Sequence, residues 1–318
     1  MSVEISELAA GEEGLWGEFL EGAANATFYH SLPFTDYYAF KVREVWRLVF
    51  RHKGKVVALL PAGLVEREGR LELHSPFSAS FSGFAYGRGL GLADALECVR
   101  LTEELARETN LASIAIQQPP QIYYREPSEL FDYALMHRGF EIENYEVTPY
   151  LPLRQDWLSG FSSSTKWAIN KLLKGARAHL EVDEDGEGVF RLIREHRQAN
   201  GIAFPYRFQE VEDLRRRTGG VHFFGLRAGR ELWASCFAYA LNERCLLCMH
   251  WAHDSGANSL RPMPLLIHLM AAWAAERNFS YMDLGTTTQG GVPTPGLTTF
   301  KDNFGPAKVL RRRWWKAL

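Results

Sequence analysis

The hydrophobic pattern of the first half of the chain predicts an antiparallel sheet that is followed by a helix and one further strand. In chain order these elements are strands at 46–50, 56–65 and 70–74, a helix at 92–109 and a strand at 111–116. Gly54 lies in the break between the first two strands, which therefore form a hairpin. The uninterrupted apolar run Leu111–Ile116 is typical of a strand that is buried on both faces.

The second half repeats this order. It predicts strands at 221–226, 232–241 and 244–251, a helix at 262–277 and an apolar strand at 279–284. Gly54 aligns with Gly229, and Leu111 aligns with Phe279. We infer a diverged duplication in which each half is an antiparallel meander followed by a βα crossover, so the predicted class is α+β. The predicted domains are residues 1–153 and 154–318.

Composition and charge narrow the class of protein. The chain has 318 residues, of which 46% are hydrophobic, and this excludes a disordered chain. The formal net charge of −2 argues against a dedicated nucleic-acid coat protein. The sequence shows neither an apolar run of about 20 residues nor a signal peptide, and its four cysteines suit a reducing compartment. We therefore expect a cytoplasmic protein without stable membrane insertion.

Four segments carry a resemblance to a known family. They are Phe28–Ser31, Arg138–Leu153, Trp167–Gly175, and the stretch that runs from Tyr281-Met282-Asp283-Leu284-Gly285 to Phe300-Lys301-Asp302-Asn303-Phe304-Gly305. Together they resemble the FemAB-like acyltransferases, which form peptidoglycan bridges and consist of tandem GNAT-type domains. The resemblance implies that an aminoacyl-tRNA is the donor and that the amine of a stem-peptide residue is the acceptor. The chain departs from some members in lacking a long charged heptad insertion.

The resemblance also implies catalytic roles at the end of the second half. Lys301 would stabilise the oxyanion that develops on the attacked carbonyl, and the ring of Phe300 would hold it in place. From the residues alone, Asp283 ends a buried strand, where its carboxylate would orient or deprotonate an ammonium group or, alternatively, accept N–H groups of Thr286 and Thr287. Without the resemblance, Lys301 would be a surface lysine in a loop.

Residues 285–299 are small and rich in hydroxyl groups, as in a loop that closes over a substrate or a plain surface connection. Gly285 and Thr286, at its start, are candidates for substrate binding. Tyr206 and Arg207 lie in an aromatic run, where the guanidinium group suits a phosphate or a carboxylate. His250 is a further candidate for a substrate contact.

Two other motifs in the sequence resemble ligand-binding sites. Cys245, Cys248, His250 and His253 have the number of ligands that zinc needs, but Cys245 and Cys248 lie in a predicted strand and point to its opposite faces, so we predict no metal site. Arg88, Gly91 and Ala93 fit a loop that holds the pyrophosphate of CoA at the start of a helix.

The function predicted first is the transfer of an aminoacyl or acyl group to a primary amine, with no tightly bound cofactor. Acyl-CoA as the donor, with a small amine as the acceptor, is the alternative within the same chemistry. A non-catalytic binding module with a GNAT-like fold also stays open, because fold alone does not fix function. The sequence does not determine the oligomeric state.

Overall fold

The structure is a computed structural model that describes residues 3–175 and 178–318. Its strands are β1 Val3–Glu7, β2 Glu44–His52, β3 Lys55–Arg67, β4 Arg70–Ser75, β5 Ala85–Tyr86, β6 Ser113–Gln117, β7 Glu141–Pro152, β8 Ala178–Val182, β9 Val221–Ala228, β10 Glu231–Asn242, β11 Cys245–His253, β12 Tyr281–Asp283, β13 Thr288–Gln289, β14 Val292–Pro293 and β15 Ala307–Ala317. Its helices are α1 Glu13–Gly22, α2 Leu32–Tyr37, α3 Leu92–Glu108, α4 Leu130–His137, α5 Ser163–Gly175, α6 Gly186–Ala199, α7 Phe208–Thr218, α8 Met263–Glu276 and α9 Pro295–Asp302.

The chain folds into two compact units. The first runs up to Glu146 and also contains Leu310–Leu318, and the second is Val147–Val309. These two units are defined by the contacts within the structure. The boundary after residue 153 was predicted from the repeat in the sequence and stays a prediction.

In the first unit the strands follow the order β1-β2-β3-β4-β6-β15. Only the β4–β6 pair is parallel, and α3 is the crossover that connects these two strands. The turn between β2 and β3 places Lys53 and Gly54 at positive φ, which explains why a glycine is needed there. Asn110, the predicted end of the crossover helix, also has a positive φ of 56°.

The second unit repeats this arrangement with the order β7-β12-β11-β10-β9-β8. The β11–β12 pair is parallel, and α8 is the crossover. Asn278 ends the helical segment with a φ of 65°, as Asn110 does in the first unit. The predicted α+β class with two tandem GNAT-like repeats is therefore confirmed.

One feature of the topology was not predicted. The strand that closes each unit comes from the opposite half of the sequence. In the second unit β7 pairs through Tyr150–Pro152 with β12, and in the first unit β15 pairs through Arg313–Ala317 with β6.

The core of the second unit positions the candidate site. Buried residues of the sheet, such as Phe224 and Met282, pack against the apolar residues of α8. Trp251 and Phe300 contact this core from its border. Among the helices of the described ranges, none is both long and apolar enough to cross a membrane.

The region predicted as a loop over residues 285–299 is different in the structure. It contains the hairpin of β13 and β14, and α9 begins at Pro295, the first position of a helix that proline favours. The Thr287 N–H donates to the carbonyl of Val147, and the Thr294 N–H donates to that of Thr287. Lys301 therefore lies in the last turn of a helix, and its placement in a loop was wrong.

Candidate active site

The candidate site lies where the two parallel strands of the second unit separate. Leu247 and Asp283 form the last pair of the β11–β12 ladder, after which β11 continues to His253 while β12 ends. Where two paired strands separate, their backbone N–H and C=O groups lose their partners in the ladder and must be satisfied by other groups.

Lys301 is buried at this point, with 3% of its surface exposed. Its ammonium group donates to the carbonyls of Gly285 at 3.0 Å and Thr286 at 2.7 Å. The same Nζ lies 5.4 Å from the centre of the Trp251 ring. The interpretation of Lys301 as a surface lysine was therefore wrong, and its charge is fixed beside the end of β12.

Phe300, the neighbour of Lys301, is half-buried and makes edge contacts with two other rings. Its ring centre lies 5.9 Å from that of Trp251 and 5.3 Å from that of Phe304. Phe300 also lines a cavity of about 250 Å³ with His253, Arg261 and Met263. The Phe-Lys pair thus joins a buried positive charge to the wall of an accessible cavity.

Asp283 is the last residue of β12 and is fully buried. Its Oδ1 accepts the N–H of Gly285 at 2.7 Å, which closes the turn after the strand. Gly285 has a φ of +73°, a conformation that side chains with a Cβ rarely adopt. The structure therefore brings Lys301, Phe300, Asp283, Gly285 and Thr286 together, while the catalytic role of Asp283 stays a prediction.

His250 and Tyr206 belong to a second cluster. Their rings lie 5.2 Å apart, and the His250 Nδ1 is 2.9 Å from the Nη2 of Arg197. Burial, with a smaller effect of the Arg197 charge, lowers the pKa of His250 to about 3, so Nδ1 accepts this hydrogen bond. Because neighbouring residues of a strand face opposite sides of the sheet, His250 and Trp251 point away from each other. Both are candidates for substrate contacts, but not at the same place.

The remaining predicted residues lie elsewhere. Arg207 is exposed at the start of α7. Arg88, Gly91 and Ala93 are exposed in the first unit, where Gly91 precedes the first residue of α3. Arg88 lines a cavity of about 230 Å³ together with Tyr86 and Arg125.

The cysteine and histidine motif lies along β11, as the sequence predicted. Cys245 and Cys248 are buried in the strand. Over the described ranges, no three His, Cys, Asp or Glu side chains are grouped as metal ligands would be.

Sequence reasoning missed two residues of the site. Trp251 was placed in a strand, but its contact with Lys301 depends on the separation of β11 and β12. His253 appeared only in the rejected zinc motif, yet it lines the cavity next to Phe300. The one signal for His253 was its position at the end of a strand that precedes the crossover helix.

Comparisons with known proteins agree with this architecture. Residues 161–301 match the acetyltransferase (GNAT) domain family. The crystal structure of FemX superposes with a TM-score of 0.74 at 11% identity and covers 99% of this chain and 97% of its own. No curated protein matches the chain.

Two further solved structures share the fold. L-PGS from Bacillus licheniformis gives a TM-score of 0.59 at 11% identity, with 98% of this chain and 93% of its own covered. A tandem GNAT protein from the clavulanic acid biosynthesis pathway gives 0.55 at 13% identity, with 99% and 98% covered. The chain therefore consists of two tandem GNAT-like repeats and shares the fold of FemX, and residues 161–301, within the second unit, match the acetyltransferase (GNAT) domain family.

Proposed function

We propose that this protein transfers an aminoacyl group from an aminoacyl-tRNA to a primary amine of a peptidoglycan precursor in the cytoplasm. The observation that carries the proposal is the buried Lys301, whose ammonium group is fixed at the end of β12, while Phe300, the preceding residue of α9, lines a cavity of about 250 Å³. The acetyltransferase (GNAT) match of residues 161–301 and the FemX-like fold support the same chemistry.

The reaction requires positive charge next to the attacked carbonyl. When the amine nitrogen adds to the carbonyl carbon, negative charge develops on the carbonyl oxygen. A fixed donor in a site with little water stabilises this charge, and removing one such donor typically costs about 10²–10³ in kcat. In our proposal Lys301 supplies the charge, and its two backbone contacts keep the ammonium group in one position.

The start of α8 supports aminoacyl-tRNA over acyl-CoA in the second unit. A CoA pyrophosphate is usually held by free N–H groups at the start of a helix. Pro262 and Pro264 have no N–H, and both line the 250 Å³ cavity at this helix end. Fewer backbone donors are therefore left for a pyrophosphate.

The first unit favours acyl-CoA as the alternative donor. There the 17-residue helix α3 begins after Gly91, and the exposed Arg88 lies nearby on a cavity wall. Arg88, Gly91 and Ala93 would then hold the pyrophosphate, and the acceptor would be a small amine.

A donor and acceptor screen tests the proposal. The protein is incubated with mixed aminoacyl-tRNAs or acyl-CoAs and with peptidoglycan precursors, and acceptors are examined by mass spectrometry. We expect a mass increase that equals one aminoacyl residue and requires charged tRNA. A product that requires acyl-CoA would favour the alternative, and binding without any product would favour the non-catalytic module.

A thermal-shift measurement separates the donors independently of turnover. A ligand that binds only the folded state raises Tm, and the rise increases with the ratio of the ligand concentration to its Kd. Stabilisation by CoA that disappears in Arg88→Ala would support the first-unit loop as a CoA site, whereas an unchanged Tm with CoA agrees with a tRNA donor.

A further inference from the structure

A second and larger cavity lies next to the one that Phe300 lines. It has a volume of about 470 Å³ and lies between α6 and the segment that follows β11. His253 and Asn258 line both cavities, so the imidazole ring stands at their common boundary. A molecule in the larger cavity and a molecule beside Phe300 would both reach the same histidine.

The charged groups of the two cavities differ in sign. Glu195 and Asp254 line the larger cavity, whereas Arg261 lines the smaller one. Carboxylates attract an ammonium group, and a guanidinium group suits the phosphates of a nucleotide donor. The larger cavity is thus suited to the amine and the smaller one to the acyl donor.

The hydrogen bond of His253 fixes which nitrogen carries the proton. The Nε2 of His253 lies 2.5 Å from the Oδ1 of Asn258, and an amide oxygen can only accept. Nε2 is therefore the protonated nitrogen of the neutral ring, and the lone pair is on Nδ1. A base held in this way by a neighbour is the arrangement that general-base catalysis uses.

Titratable and charged side chains face His253 from each element that borders the two cavities. α6 contributes Glu195 and His196, whose ring centre is 5.4 Å from that of His253. Burial, with a smaller effect of the nearby Arg197 charge, lowers the pKa of His196. Asp254 and Arg261 face the site from the segment before α8.

We infer that the 470 Å³ cavity binds the primary amine of the acceptor and that His253 is the general base of the transfer. This inference rests on the proposed function. The bound ammonium group first loses one proton to solvent, and the neutral amine nitrogen then forms a bond to the carbonyl carbon while Nδ1 takes a second proton from that nitrogen. The bond from the carbonyl carbon to the ribose oxygen of the donor then breaks, and the proton passes from Nδ1 to that oxygen.

His253→Gln tests the base, with charged tRNA as the donor and a precursor pentapeptide that contains lysine as the acceptor. We expect kcat to fall about 10²–10³-fold, in the range of general-base catalysis. The decline of kcat/KM at low pH should disappear in the variant, and imidazole in the buffer should restore part of the rate. His179→Gln is the control, because this histidine of β8 is exposed in the same unit and should leave all three readouts unchanged.

A second variant tests the position of the base. Asn258→Ala removes the acceptor of Nε2, so the ring is free to adopt either tautomer. We expect about a tenfold loss of kcat, with KM for the amine unchanged. If the wild-type protein turns over and His253→Gln has the same rate and pH profile, the inference is overturned and the proposed function is left intact.

Binding of the amine does not depend on turnover. Calorimetry with Nα-acetyl-lysine amide as the probe should show binding that Glu195→Gln weakens several-fold, with Glu187→Gln on the same helix as the control. If no donor gives product, the proposed function fails, and this titration still decides whether the cavity binds an amine. Absence of binding to the wild-type protein, or equal binding to Glu195→Gln, would overturn that part.

Discussion

The two units differ most where each parallel strand pair ends. With Leu111 aligned to Phe279, Gln117 of the first unit corresponds to Gly285 of the second. The carbonyl of Gln117 accepts the backbone N–H of Ser82 at 2.9 Å, whereas the carbonyl of Gly285 accepts the ammonium group of Lys301 at 3.0 Å. At the same position of the repeat, the backbone carbonyl accepts a backbone N–H in the first unit and a buried ammonium group in the second.

This difference is the reason why our proposal assigns transfer to the second copy. In the first unit Phe81 covers the region with a ring 4.7 Å from that of Tyr123 and 5.4 Å from that of Tyr29. These rings pack at the contact distances of a protein interior. The second unit holds the buried ammonium group of Lys301 and the cavity that Phe300 lines, and our proposal therefore places transfer in that unit.

The largest expected effect comes from removing the charge of the second copy. Lys301→Met keeps the unbranched side chain up to the ε position but removes the ammonium group, so the carbonyls of Gly285 and Thr286 lose this donor. We expect kcat to fall about 10²–10³-fold because the oxyanion loses its counter-charge. Steady-state kinetics and circular dichroism of the same sample separate lost turnover from lost folding.

Lys308→Met is the matched control for that experiment. Lys308 lies in the same unit, and its exposed ammonium group pairs with Asp302 at 3.0 Å. It should turn over at the wild-type rate. A folded Lys301→Met protein with full activity would remove the difference between the copies on which the proposed site rests.

Buried charge in the first unit should instead matter for stability. Glu103 is fully buried in α3, and its carboxylate pairs with Arg138 and with Lys316. Glu103→Gln leaves these two cations, and Arg107 at 3.9 Å, without their counter-ion, which costs about 3 kcal/mol of unfolding free energy. Chemical denaturation measures the loss, while kcat at low temperature should stay the same.

Glu104→Gln provides the comparison for this prediction. Glu104 is the next residue of the same helix, and its half-exposed carboxylate pairs with Arg100. Exposed pairs contribute up to about 1 kcal/mol. Equal destabilisation by the two variants would contradict a structural role that is specific to Glu103.

Much of the fold was predictable because its signals are local. The glycine at the first hairpin turn and the asparagines at the ends of both crossover helices mark conformations that few other residues adopt. Which strand closes each unit was not predictable. β7 and β15 each pair with a strand more than 100 positions away, and the hydrophobic pattern of a strand does not identify its partner.

The site was predictable only in part. The resemblance identified Phe300 and Lys301, but the Gly, Pro and Thr residues before them favoured a loop. Pro295 at the first helical position was the available signal for α9. The burial of Lys301 depends on Trp251 and on the turn after β12, contacts that no local pattern specifies.

A substitution in the turn after β12 should lower kcat less than Lys301→Met does. Gly285→Ala adds a Cβ that would lie 3.4 Å from the carbonyl oxygen of Cys248, so space is adequate, but the φ of +73° is unfavourable. The strain of about 1–2 kcal/mol should turn the carbonyl away from Lys301. We expect kcat to fall about tenfold in steady-state assays.

Gly229→Ala imposes a similar backbone cost away from the site. Gly229 has a φ of +60° in the turn between β9 and β10, and a Cβ there would meet no atom within 4 Å. A fall in kcat in both variants would indicate a general loss of stability rather than an effect on the position of Lys301.

The smallest expected effect concerns His30 in the first unit, which is hydrogen-bonded to Ser82, the residue whose N–H contacts Gln117. His30 donates from Nε2 to the carbonyl of Ser82 and accepts the Thr27 N–H at Nδ1, so it is neutral. Burial lowers its pKa to about 4, against 6.5 in the unfolded chain. The unfolded state therefore binds the proton more readily, and stability is lost as the pH falls from 6.5 towards 4. Between pH 7 and 5.5 this amounts to about 1 kcal/mol.

His30→Gln isolates that contribution. Glutamine can donate and accept hydrogen bonds but does not titrate, so its unfolding free energy should change about 1 kcal/mol less than that of the wild type between these pH values. Because His250 in the second unit also has a lowered pKa, the difference between the two proteins, rather than either curve alone, measures His30. If the unfolding free energies of the wild type and His30→Gln depend equally on pH, His30 is not held neutral in the folded state. Its hydrogen bond to the carbonyl of Ser82 would then not explain how Ser82 is held in the first unit.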